Sequence, residues 1–550
     1  MSDSSSQINN SESNLFRRFC DTAGRYPDSC ALAGEGGRGA AYTYAQVRAY
    51  AEGVAARLLD DQLIDKAGVG ILATNCPEWP IAYLGIVAAG GTAVPIDANL
   101  KPDEIAHVIK HSQMTAVICG RQYETVVRQV APELPVFILQ ELEHWKGKGV
   151  YVSPSGGNET AALIYTSGTT GQPKAVELTH RNLLANLDQI SPALDLGEGD
   201  TFLSVLPLHH TFEATCGLLV PLNSGCRIVY ARSMNSRDLI RDLGYNKVTL
   251  LLGVPLLFEK MCTTIQRKIK AAPWHSRAMF GLLYRLSGLG RKLGLRWGRW
   301  LFAGFRARAG MDSLRTIFSG AAPLPPRIAE FFCLIGFEFL EGYGMTEASP
   351  VISFNLPGQA RFGSVGPPLP GVEVRIAQPS ADGIGEILVR GDNVTPGYRG
   401  NPEQTAELLR DGWLHTGDLG RLHEGHLWIT GRAKDLIVSA AGKNIYPEEL
   451  EERLLESPLV LEAVVFGRRR DNRQGEDICA VLVPDLEQMS TDHGVDAANP
   501  DMAKVTLLLK EMVDSVNKRQ ASYKHIVDIS VQIDELTKTS TKKVKRYLYK

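Results

Sequence analysis

Between residues 40 and 260, helix-like segments alternate with short apolar runs rich in β-branched residues. This alternation is typical of parallel sheets covered by helices. One unit is especially clear, because Pro102 and the acids after it begin a helix and the apolar run 115–119 forms the next strand. The pattern predicts an α/β protein with parallel-type sheets in a large, multi-lobed N-terminal domain over 15–432.

The pattern changes from Gly371 onward. Short alternating strands separated by glycines, such as 385–390 and 426–430, predict a β subdomain over about 371–432. Beyond it, Pro447 begins an amphipathic helix, and apolar strands follow at 463–466 and 478–483. We therefore expect a separate, small α+β domain over 436–550.

The longest uncharged run, residues 79–96, is long enough to suggest a membrane span. Pro80, the Gly90–Gly91 pair and Pro95 interrupt it, which favours a buried helix followed by a buried strand. At the N-terminus, residues 1–14 are polar and lack the apolar core of a signal peptide, which predicts a disordered leader.

Composition and charge narrow the functional classes. A chain of 550 residues with 44% hydrophobic content can form several packed lobes. Its net charge of −2 argues against overall attraction to nucleic acid, and no nucleic-acid partner is expected. The nine scattered cysteines contain no CxxC pair, which disfavours a disulfide framework or a zinc site and fits a cytoplasmic protein.

A loop rich in glycine and hydroxyl residues follows the apolar strand 161–165. Glycines let backbone N–H groups turn toward an anion, hydroxyls add donors, and Lys174 supplies a positive charge. The spacing differs from the GxxxxGK[ST] loop, because Pro173 precedes the lysine and no Ser or Thr follows it. A plain surface loop is the alternative. The candidate phosphate-binding residues are Thr166, Ser167, Gly168, Thr169, Thr170, Gly171 and Lys174.

The string Tyr-Thr-Ser-Gly-Thr-Thr-Gly-Gln-Pro-Lys at 165–174, followed by Leu-Thr-His-Arg-Asn at 178–182, resembles the signature of the adenylate-forming (AMP-binding) superfamily. Ala175 departs from it, where glycine is usual. The resemblance implies that ATP converts a carboxylic acid into an acyl-AMP with release of pyrophosphate, and that a thioester then forms. ATP, Mg²⁺ and the co-substrate CoA are the cofactors it implies.

Two further segments resemble motifs of that family. Residues 318–323 are similar to the adenine-binding segment, and residues 341–347 to its partner motif. The resemblance implies that Tyr343 stacks on adenine, that Thr346 contacts the α-phosphate as a catalytic residue, and that Glu347, with Thr169, holds magnesium. On its own, Glu347 would fit a solvated turn equally well. The other ATP-binding residues implied here are Gly320, Ala321, Ala322, Glu341, Gly342, Gly344 and Met345.

Downstream segments complete the resemblance. In residues 412–418, Asp418 is the implied partner of the ribose hydroxyls, although Asp is also common in turns. Residues 429–435 resemble a hinge, with Arg432 at the nucleotide and Lys434 as the pivot within 433–435. Residues 442–447 resemble a loop along the CoA path, which implies Gly442 and Lys443 there. The small C-terminal domain would then be a mobile lid over 436–550.

The C-terminal segment 536–546 resembles the one that carries the catalytic lysine, and residue-by-residue matching assigns that role to Lys543. A cation there would bridge two anionic reactants. Thr537 and Lys542 depart from the usual proline and glycine, so Lys542 is a rival candidate. A solvated basic tail is the alternative.

Residues 206–213 resemble the long-chain acyl-CoA synthetase branch, which implies His210 and Phe212 near the acyl carboxylate and a catalytic role for His210. The apolar runs 217–222, beginning at Gly217, and 250–258 could line a tunnel for an alkyl chain. We therefore expect a fatty acid as substrate and CoA as acceptor. Acyl carrier protein as acceptor, or a catalytically silent lipid-surface protein with the same fold, are the alternatives.

A basic amphipathic insertion is predicted at about 263–310. Residues 267–308 carry eleven basic residues and no acid, interleaved with large apolar side chains. Leu286, Leu289 and Leu293 have helical spacing. Such a mixture favours peripheral contact with an anionic membrane, here its inner face, and an exposed basic helix packed on the body is the alternative.

Overall fold

The structure is a computed structural model that describes residues 14–64, 68–145, 156–166, 173–439, 442–469, 475–538 and 544–549. The chain divides into two compact units, residues 1–374 with 389–414 and residues 375–388 with 415–550. Part of the predicted β subdomain is thus grouped with the C-terminal residues. Of the predicted leader only Asn14 is described, and it is buried as the N-cap of the first helix.

The helices begin largely at prolines or at capping side chains, as expected from their sequences. They are α1 Leu15–Arg25, α2 Tyr44–Asp60, α3 Glu78–Ala88, α4 Pro102–Ser112, α5 Glu124–Val130, α6 His180–Leu194, α7 Val220–Asn223, α8 Ser236–Tyr245, α9 Pro255–Ala271, α10 Trp274–Lys292, α11 Trp297–Leu301, α12 Ala303–Arg308, α13 Pro326–Leu334, α14 Pro402–Leu408, α15 Pro447–Leu454, α16 Leu486–His493 and α17 Met502–Asn517.

The strands confirm the predicted α/β class, because most neighbours in the first unit are parallel. They are β1 Cys30–Ala33, β2 Ala41–Thr43, β3 Gly68–Leu72, β4 Thr92–Ile96, β5 Ala116–Cys119, β6 Val136–Ile138, β7 Thr160–Thr166, β8 Lys174–Thr179, β9 Thr201–Ser204, β10 Arg227–Tyr230, β11 Leu250–Gly253, β12 Thr316–Ser319, β13 Glu338–Gly344, β14 Val351–Phe354, β15 Glu373–Ala377, β16 Gly385–Arg390, β17 Gly397–Tyr398, β18 Leu409–Arg410, β19 Trp413–His423, β20 His426–Arg432, β21 Ile437–Val438, β22 Asn444–Ile445, β23 Val460–Arg469, β24 Glu476–Pro484 and β25 Asp528–Val531.

Two large sheets form the first unit. One has the order β14-β13-β12-β11-β9-β10-β1-β2, and the other has the order β17-β8-β7-β4-β3-β5-β6. The uncharged run 79–96 is the buried helix α3 followed by the buried strand β4, as predicted. Within the described ranges, each helix is too short or too polar to cross a bilayer.

The second unit contains most of a sheet with the order β15-β16-β19-β18, in which β20 pairs with β19. A separate sheet, β23-β24-β25, packs with α15 around Leu450 and Leu454, the apolar positions predicted for that helix. The strands predicted at 463–466 and 478–483 lie inside β23 and β24.

Candidate functional site

A β-hairpin holds the two ends of the predicted phosphate loop. Strands β7 and β8 are antiparallel, and Thr166 and Lys174 are register partners at their ends. The loop between them falls outside the described residues. The sequence-predicted Ser167, Gly168, Thr169, Thr170 and Gly171 therefore have no described position, and their roles stay predictions.

Lys174 and Glu347 meet around a tyrosine that the sequence analysis missed. The Lys174 ammonium lies 5.0 Å from the centroid of the Tyr398 ring. The Tyr398 hydroxyl donates a hydrogen bond of 2.7 Å to Glu347 Oε1. Burial and the adjacent Glu347 carboxylate raise the pKa of Tyr398 well above its usual value, so the phenol stays protonated and can donate.

Tyr398 reaches this position through strand pairing. It lies in the two-residue strand β17, which pairs antiparallel with β8 so that Tyr398 is opposite Val176. The backbone N–H of Thr395 also donates a hydrogen bond of 2.9 Å to the Glu347 carbonyl. No periodic pattern marks so short a strand, so the sequence offered no signal for this contact.

Glu347 suits the magnesium role implied by the sequence. Its Oε1 accepts the tyrosine hydroxyl, and Oε2 accepts no hydrogen bond from a described residue. Magnesium prefers oxygen ligands and is commonly held by one or two carboxylates together with phosphate oxygens. Over the described ranges, no three His, Cys, Asp or Glu side chains form a metal-binding cluster. Glu347 would therefore act with oxygens of a bound substrate.

The predicted adenine-binding segment and its partner motif begin at the same edge of one sheet. Strands β12 and β13 are parallel neighbours, with Ser319 opposite Glu341, and ligands of α/β sheets bind at the carboxyl ends of strands. A methyl group at Gly320 would lie 2.7 Å from the Phe212 ring, so the predicted acyl residue packs against the predicted nucleotide segment. At Gly344, a methyl group would lie 1.8 Å from the Pro350 carbonyl oxygen, so only glycine fits.

The other members of these segments lie in or directly after strands β12 and β13, and their nucleotide-binding roles stay predictions. Ala321 follows Gly320 with a positive φ of 69°, and Ala322 comes next in the chain. Gly342 and Tyr343 lie in β13. Met345 donates its N–H to the Pro350 carbonyl at 2.9 Å. A 3₁₀ turn that begins at Thr346 carries Glu347.

Glu341 is a second buried carboxyl group on β13. Burial raises its pKa to about 8. No described residue forms an ion pair or a side-chain hydrogen bond with its carboxyl group. Glu341 is therefore mainly neutral at pH 7.

The predicted His210 lies beside another histidine, with the two rings tilted by 48°. The ring centroids of His209 and His210 are 4.2 Å apart, and His209 Nε2 lies 3.4 Å from Asp97 Oδ2. Burial alone would raise the pKa of Asp97, but the neighbouring His209 and bonds from Asn99 lower it well below its usual range. Asp97 follows β4 directly, and a polar residue at that strand end was a signal the sequence analysis did not use.

The predicted acyl residue Gly217 lies in a π-helix, Glu213–Leu219. A methyl group at Gly217 would lie 2.6 Å from Glu213 Cδ, so the glutamate fills the space beside it. The Ser204 hydroxyl donates a hydrogen bond of 2.5 Å to Glu213, whose pKa burial raises to about 8. The acyl-binding role of Gly217 stays a prediction.

In the second unit, the predicted ribose and nucleotide residues pair with each other. Asp418 and Arg432 are opposite one another in β19 and β20. Arg432 Nε lies 2.9 Å from Asp418 Oδ1, and the arginine is 42% exposed whereas the aspartate is 8% exposed. The hairpin thus presents a fixed carboxylate with a cation beside it.

The hinge and CoA-path candidates lie at turns. Lys434 is in the 3₁₀ turn Ala433–Asp435 and is exposed. Gly442 has a φ of 68°, which glycine adopts without strain. The Gly442 N–H donates to the Ser439 carbonyl at 2.8 Å, and Lys443 is exposed.

The catalytic candidate Lys543 and its rival Lys542 lie outside the described residues. The residues that flank them are paired, since Lys538 and Val544 form an antiparallel bridge. The Lys538 ammonium also forms ion pairs with Glu462 and, at 3.2 Å, with Glu535. Both flanks are therefore fixed within the second unit.

A largely buried arginine just beyond this segment was missed by the sequence analysis. Arg546 binds Glu451 through two nitrogens, one of them at 2.7 Å from Oε2, and lies 3.4 Å from Glu448 and 3.8 Å from Asp435. Burial raises the pKa of Glu448 to about 7, although Arg546 opposes that rise. In the sequence, Arg546 looked like part of a basic tail.

Residues 19–399 match the profile of the AMP-binding enzyme family, and residues 449–543 match that of the AMP-binding enzyme C-terminal domain. The long-chain-fatty-acid–CoA ligase ACSBG2 of Rattus norvegicus is 32% identical, with 86% of this chain and 77% of that protein covered. A feruloyl-CoA synthase of an Amycolatopsis species is also 32% identical, with 76% of this chain and 78% of that protein covered.

The fold also matches a solved structure with nucleotide bound. The crystal structure of ATP-bound MatB from Rhodopseudomonas palustris is 25% identical and has a TM-score of 0.78, with 98% of each chain covered. The similarity therefore extends over both compact units of the chain.

Proposed function

The chain belongs to the AMP-binding enzyme family, and we propose that it is a long-chain fatty acid–CoA ligase of the AMP-forming type. In the first half-reaction, a fatty acid carboxylate attacks the α-phosphorus of ATP, and pyrophosphate leaves. In the second, the CoA thiol attacks the acyl carbonyl, and AMP leaves. The contact of Lys174, Tyr398 and Glu347 beside the paired ends of the phosphate loop carries this proposal.

In the first unit, each residue has a role that its chemistry supports. Lys174 supplies positive charge to the triphosphate, and Tyr398 orients Glu347 through its hydroxyl. We propose that Glu347, with Thr169, holds magnesium, which offsets the negative charge of the departing pyrophosphate when bound. Thr346 contacts the α-phosphate, and Tyr343 stacks on adenine.

In the second unit, Asp418 receives the ribose hydroxyls. Its ion pair with Arg432 fixes the position of the carboxylate. Lys434 is the pivot of a hinge, and Gly442 and Lys443 lie along the CoA path. Lys543 places a cation at the reacting carboxylate, and the paired flanks at Lys538 and Val544 support a fixed position for that segment.

Variants of the two lysines test the assignment. Lys543→Ala should abolish acyl-AMP formation, because attack of one anion on another depends on that cation. Lys542→Ala is the matched control and should retain most activity. The reverse result would move the catalytic role to Lys542, and activity in both variants would contradict a lysine role altogether.

The fatty acid is proposed from the relatives, among which long-chain-fatty-acid–CoA ligases recur. Because a feruloyl-CoA synthase is equally identical, the acid class needs a direct test. The purified protein would be incubated with ATP, Mg²⁺, CoA and either hexadecanoate, octanoate or ferulate. Thioesters would be quantified by mass spectrometry, with hexadecanoyl-CoA expected in excess. Preferential formation of feruloyl-CoA would contradict the long-chain proposal.

The acceptor and the cellular setting follow the same reasoning. The relatives are named CoA ligases, which supports CoA over acyl carrier protein, and a parallel reaction with acyl carrier protein separates the two. All nine cysteines are free thiols, which supports a reducing, cytoplasmic setting. We also propose reversible contact of residues 267–308 with a membrane, where long-chain acids dissolve.

A further inference from the structure

Helix α10 carries an apolar stripe on its solvent side. Ser287 and Gly290 are the buried residues of this helix, on the flank where it packs on the body. Stripe residues recur at intervals of three and four, which places them on one helix face. Their side chains are 37–64% exposed: Met279, Leu282, Leu286, Leu289 and, at the C-cap, Leu293.

Two exposed tryptophans lie at the ends of the region. Trp274 begins α10 and is 75% exposed, and Trp300 in α11 is 80% exposed. Soluble proteins rarely expose a continuous apolar surface of this length, because covering it removes apolar area from water. Indole rings are enriched where a protein meets the boundary between lipid and water. The stripe therefore requires an apolar partner with a polar boundary.

The positive charge of the region limits which kind of partner can cover the stripe. Residues 267–308 contain eleven basic residues and no acid, in a chain whose net charge is −2. Arg285 and Lys292 directly precede Leu286 and Leu293 in the helix, so cations border the stripe. A second copy of the chain would bring like charges together across a symmetric contact. An anionic surface is complementary instead.

An arginine-lined cavity lies at the C-terminal end of the stripe. Its volume is about 230 Å³, and its lining includes Arg291, Arg296, Arg299 and Arg315. Glu338 is the one acid among its described lining residues. The cavity therefore carries excess positive charge, and it begins directly where the stripe ends, at Gly294 and Leu295.

The four arginines differ in how far they are neutralised. Arg315 pairs with Asp200 at 2.9 Å, and Arg296 pairs with Glu338 at 2.5 Å. The Arg291 guanidinium stacks over the Phe362 ring, 4.1 Å from its centroid. The exposed Arg299 guanidinium makes no hydrogen bond or ion pair with any residue that the structure describes. Two positive charges thus have no acidic partner in the cavity.

We propose that this face docks on an anionic bilayer, with the α10 stripe in the acyl-chain boundary and the phosphate of one lipid headgroup in the arginine cavity. Guanidinium groups bind phosphate through paired N–H donors. The biological role of docking rests on the proposed function, because a long-chain acid would reach the enzyme from the lipid phase. The docking itself does not depend on catalysis.

Vesicle sedimentation of the full chain tests this proposal. We expect binding to phosphatidylcholine vesicles that contain phosphatidylglycerol to exceed binding to pure phosphatidylcholine by about tenfold, and salt to weaken it. Leu289→Glu and Leu293→Glu should each lower binding about tenfold, because they bring a charge into the apolar boundary. Leu507→Glu on α17 is the matched control, since Leu507 is 57% exposed and Leu289 is 53% exposed.

The cavity has its own pair of variants. Arg299→Glu should lower binding to phosphatidylglycerol vesicles severalfold and leave binding to pure phosphatidylcholine unchanged. Lys510→Glu, an exposed charge reversal on α17, should have little effect. Inorganic phosphate at a concentration that leaves ionic strength fixed should compete weakly, because it lacks the acyl chains that the stripe holds.

Each outcome decides the proposal or one of its parts. Equal binding to both vesicle types, or no binding to either, overturns it. Equal losses in Leu289→Glu and Leu507→Glu would show nonspecific adsorption and also overturn it. Full binding by Arg299→Glu overturns the headgroup site alone. Octanoate activation is measured in parallel, so failure of the ligase proposal is distinguishable from failure of docking.

Discussion

The two units differ in whether their buried or largely buried carboxyl groups have a basic partner. In the first unit, Glu213 and Glu341 have no arginine or lysine partner among the described residues, and burial raises the pKa of each to about 8. In the second unit, Glu448 and Glu451 converge on Arg546, and all three side chains are largely buried. The second unit therefore supplies its own counter-charge, whereas the first unit keeps these two groups protonated.

Glu347 differs from the carboxyl groups of both units in its contacts. It is buried in the first unit, its hydrogen-bond donor is the neutral Tyr398 hydroxyl, and Lys174 lies over the tyrosine ring. A cation that binds Glu347 Oε2 must then arrive with the ligand, as magnesium does with ATP. The contacts of Arg546 with Glu448 and Glu451 therefore stabilise the fold. The contacts of Tyr398 with Lys174 and Glu347 leave charged groups that can bind a charged substrate.

The largest expected effect is on the arginine cluster. Arg546→Met would leave Glu448, Glu451 and Asp435 without their buried counter-charge, and breaking such a cluster by removing one partner costs about 3–5 kcal/mol. Urea unfolding should show this loss, and Glu451→Gln in the same chain should recover part of it. Lys518→Met, at an exposed lysine, is the control, and a loss below about 1 kcal/mol would contradict the structural role.

The next effect separates function from stability. Glu347→Gln should lower acyl-AMP formation about a hundredfold or more, because a charged ligand at the departing pyrophosphate is lost. Its unfolding midpoint should stay close to that of the wild type. Glu403→Gln, at an exposed glutamate in the same unit, should leave the rate unchanged. Near-normal activity in Glu347→Gln would remove Glu347 from the proposed site.

A smaller effect is expected at the missed tyrosine. Tyr398→Phe removes the 2.7 Å hydrogen bond to Glu347 and keeps the ring below Lys174. A hydrogen bond to a charged group contributes about 1.5–3 kcal/mol, so the rate should fall about tenfold, mainly through a higher KM for magnesium-ATP. Tyr245→Phe is the control, because Tyr245 is 63% exposed. An unchanged KM would show that Tyr398 does not orient Glu347.

The smallest effect concerns pH. The pKa of Glu341 is about 8 in the folded protein and near 4.5 when exposed, so the folded state holds the extra proton and wild-type stability falls as pH rises through that window. Glu341→Gln removes this pH-dependent contribution to stability, because glutamine does not titrate. Between pH 7 and pH 8 the variant should gain about 1 kcal/mol over the wild type in unfolding free energy. A constant difference from pH 5 to pH 8 would show that Glu341 is ionised in the fold.

Local sequence patterns predicted helices and strands well, but they could not predict contacts between residues distant in the chain. The run 79–96 and helix α4 have strong signals in their prolines, glycines and apolar spacing, and both were confirmed. Tyr398 was not predicted, because a strand of two residues is too short to show a hydrophobic period. Arg546 was not predicted, because the sequence alone does not distinguish a largely buried arginine from a solvated one. Only the fold brings three carboxylates to it.

Candidate site residues could be proposed from the sequence where they stand in contiguous motifs. Glu347, Asp418 and Lys174 were proposed from such strings. In the structure Lys174 begins β8, Asp418 lies in β19, and Glu347 lies in the 3₁₀ turn after β13. The pairing of Asp418 with Arg432 needed the register of a hairpin, which the sequence leaves open. The limits of the compact units likewise depend on which strands pair, and spacing alone did not determine them.

Exchange of labelled pyrophosphate into ATP is the most direct test of the adenylation that the Lys174, Tyr398 and Glu347 cluster is proposed to support. Hexadecanoate should stimulate exchange by the wild-type protein without any CoA, and Glu347→Gln should suppress that stimulation about a hundredfold. Exchange that no carboxylic acid stimulates, in a protein that is folded by its unfolding midpoint, would contradict the account.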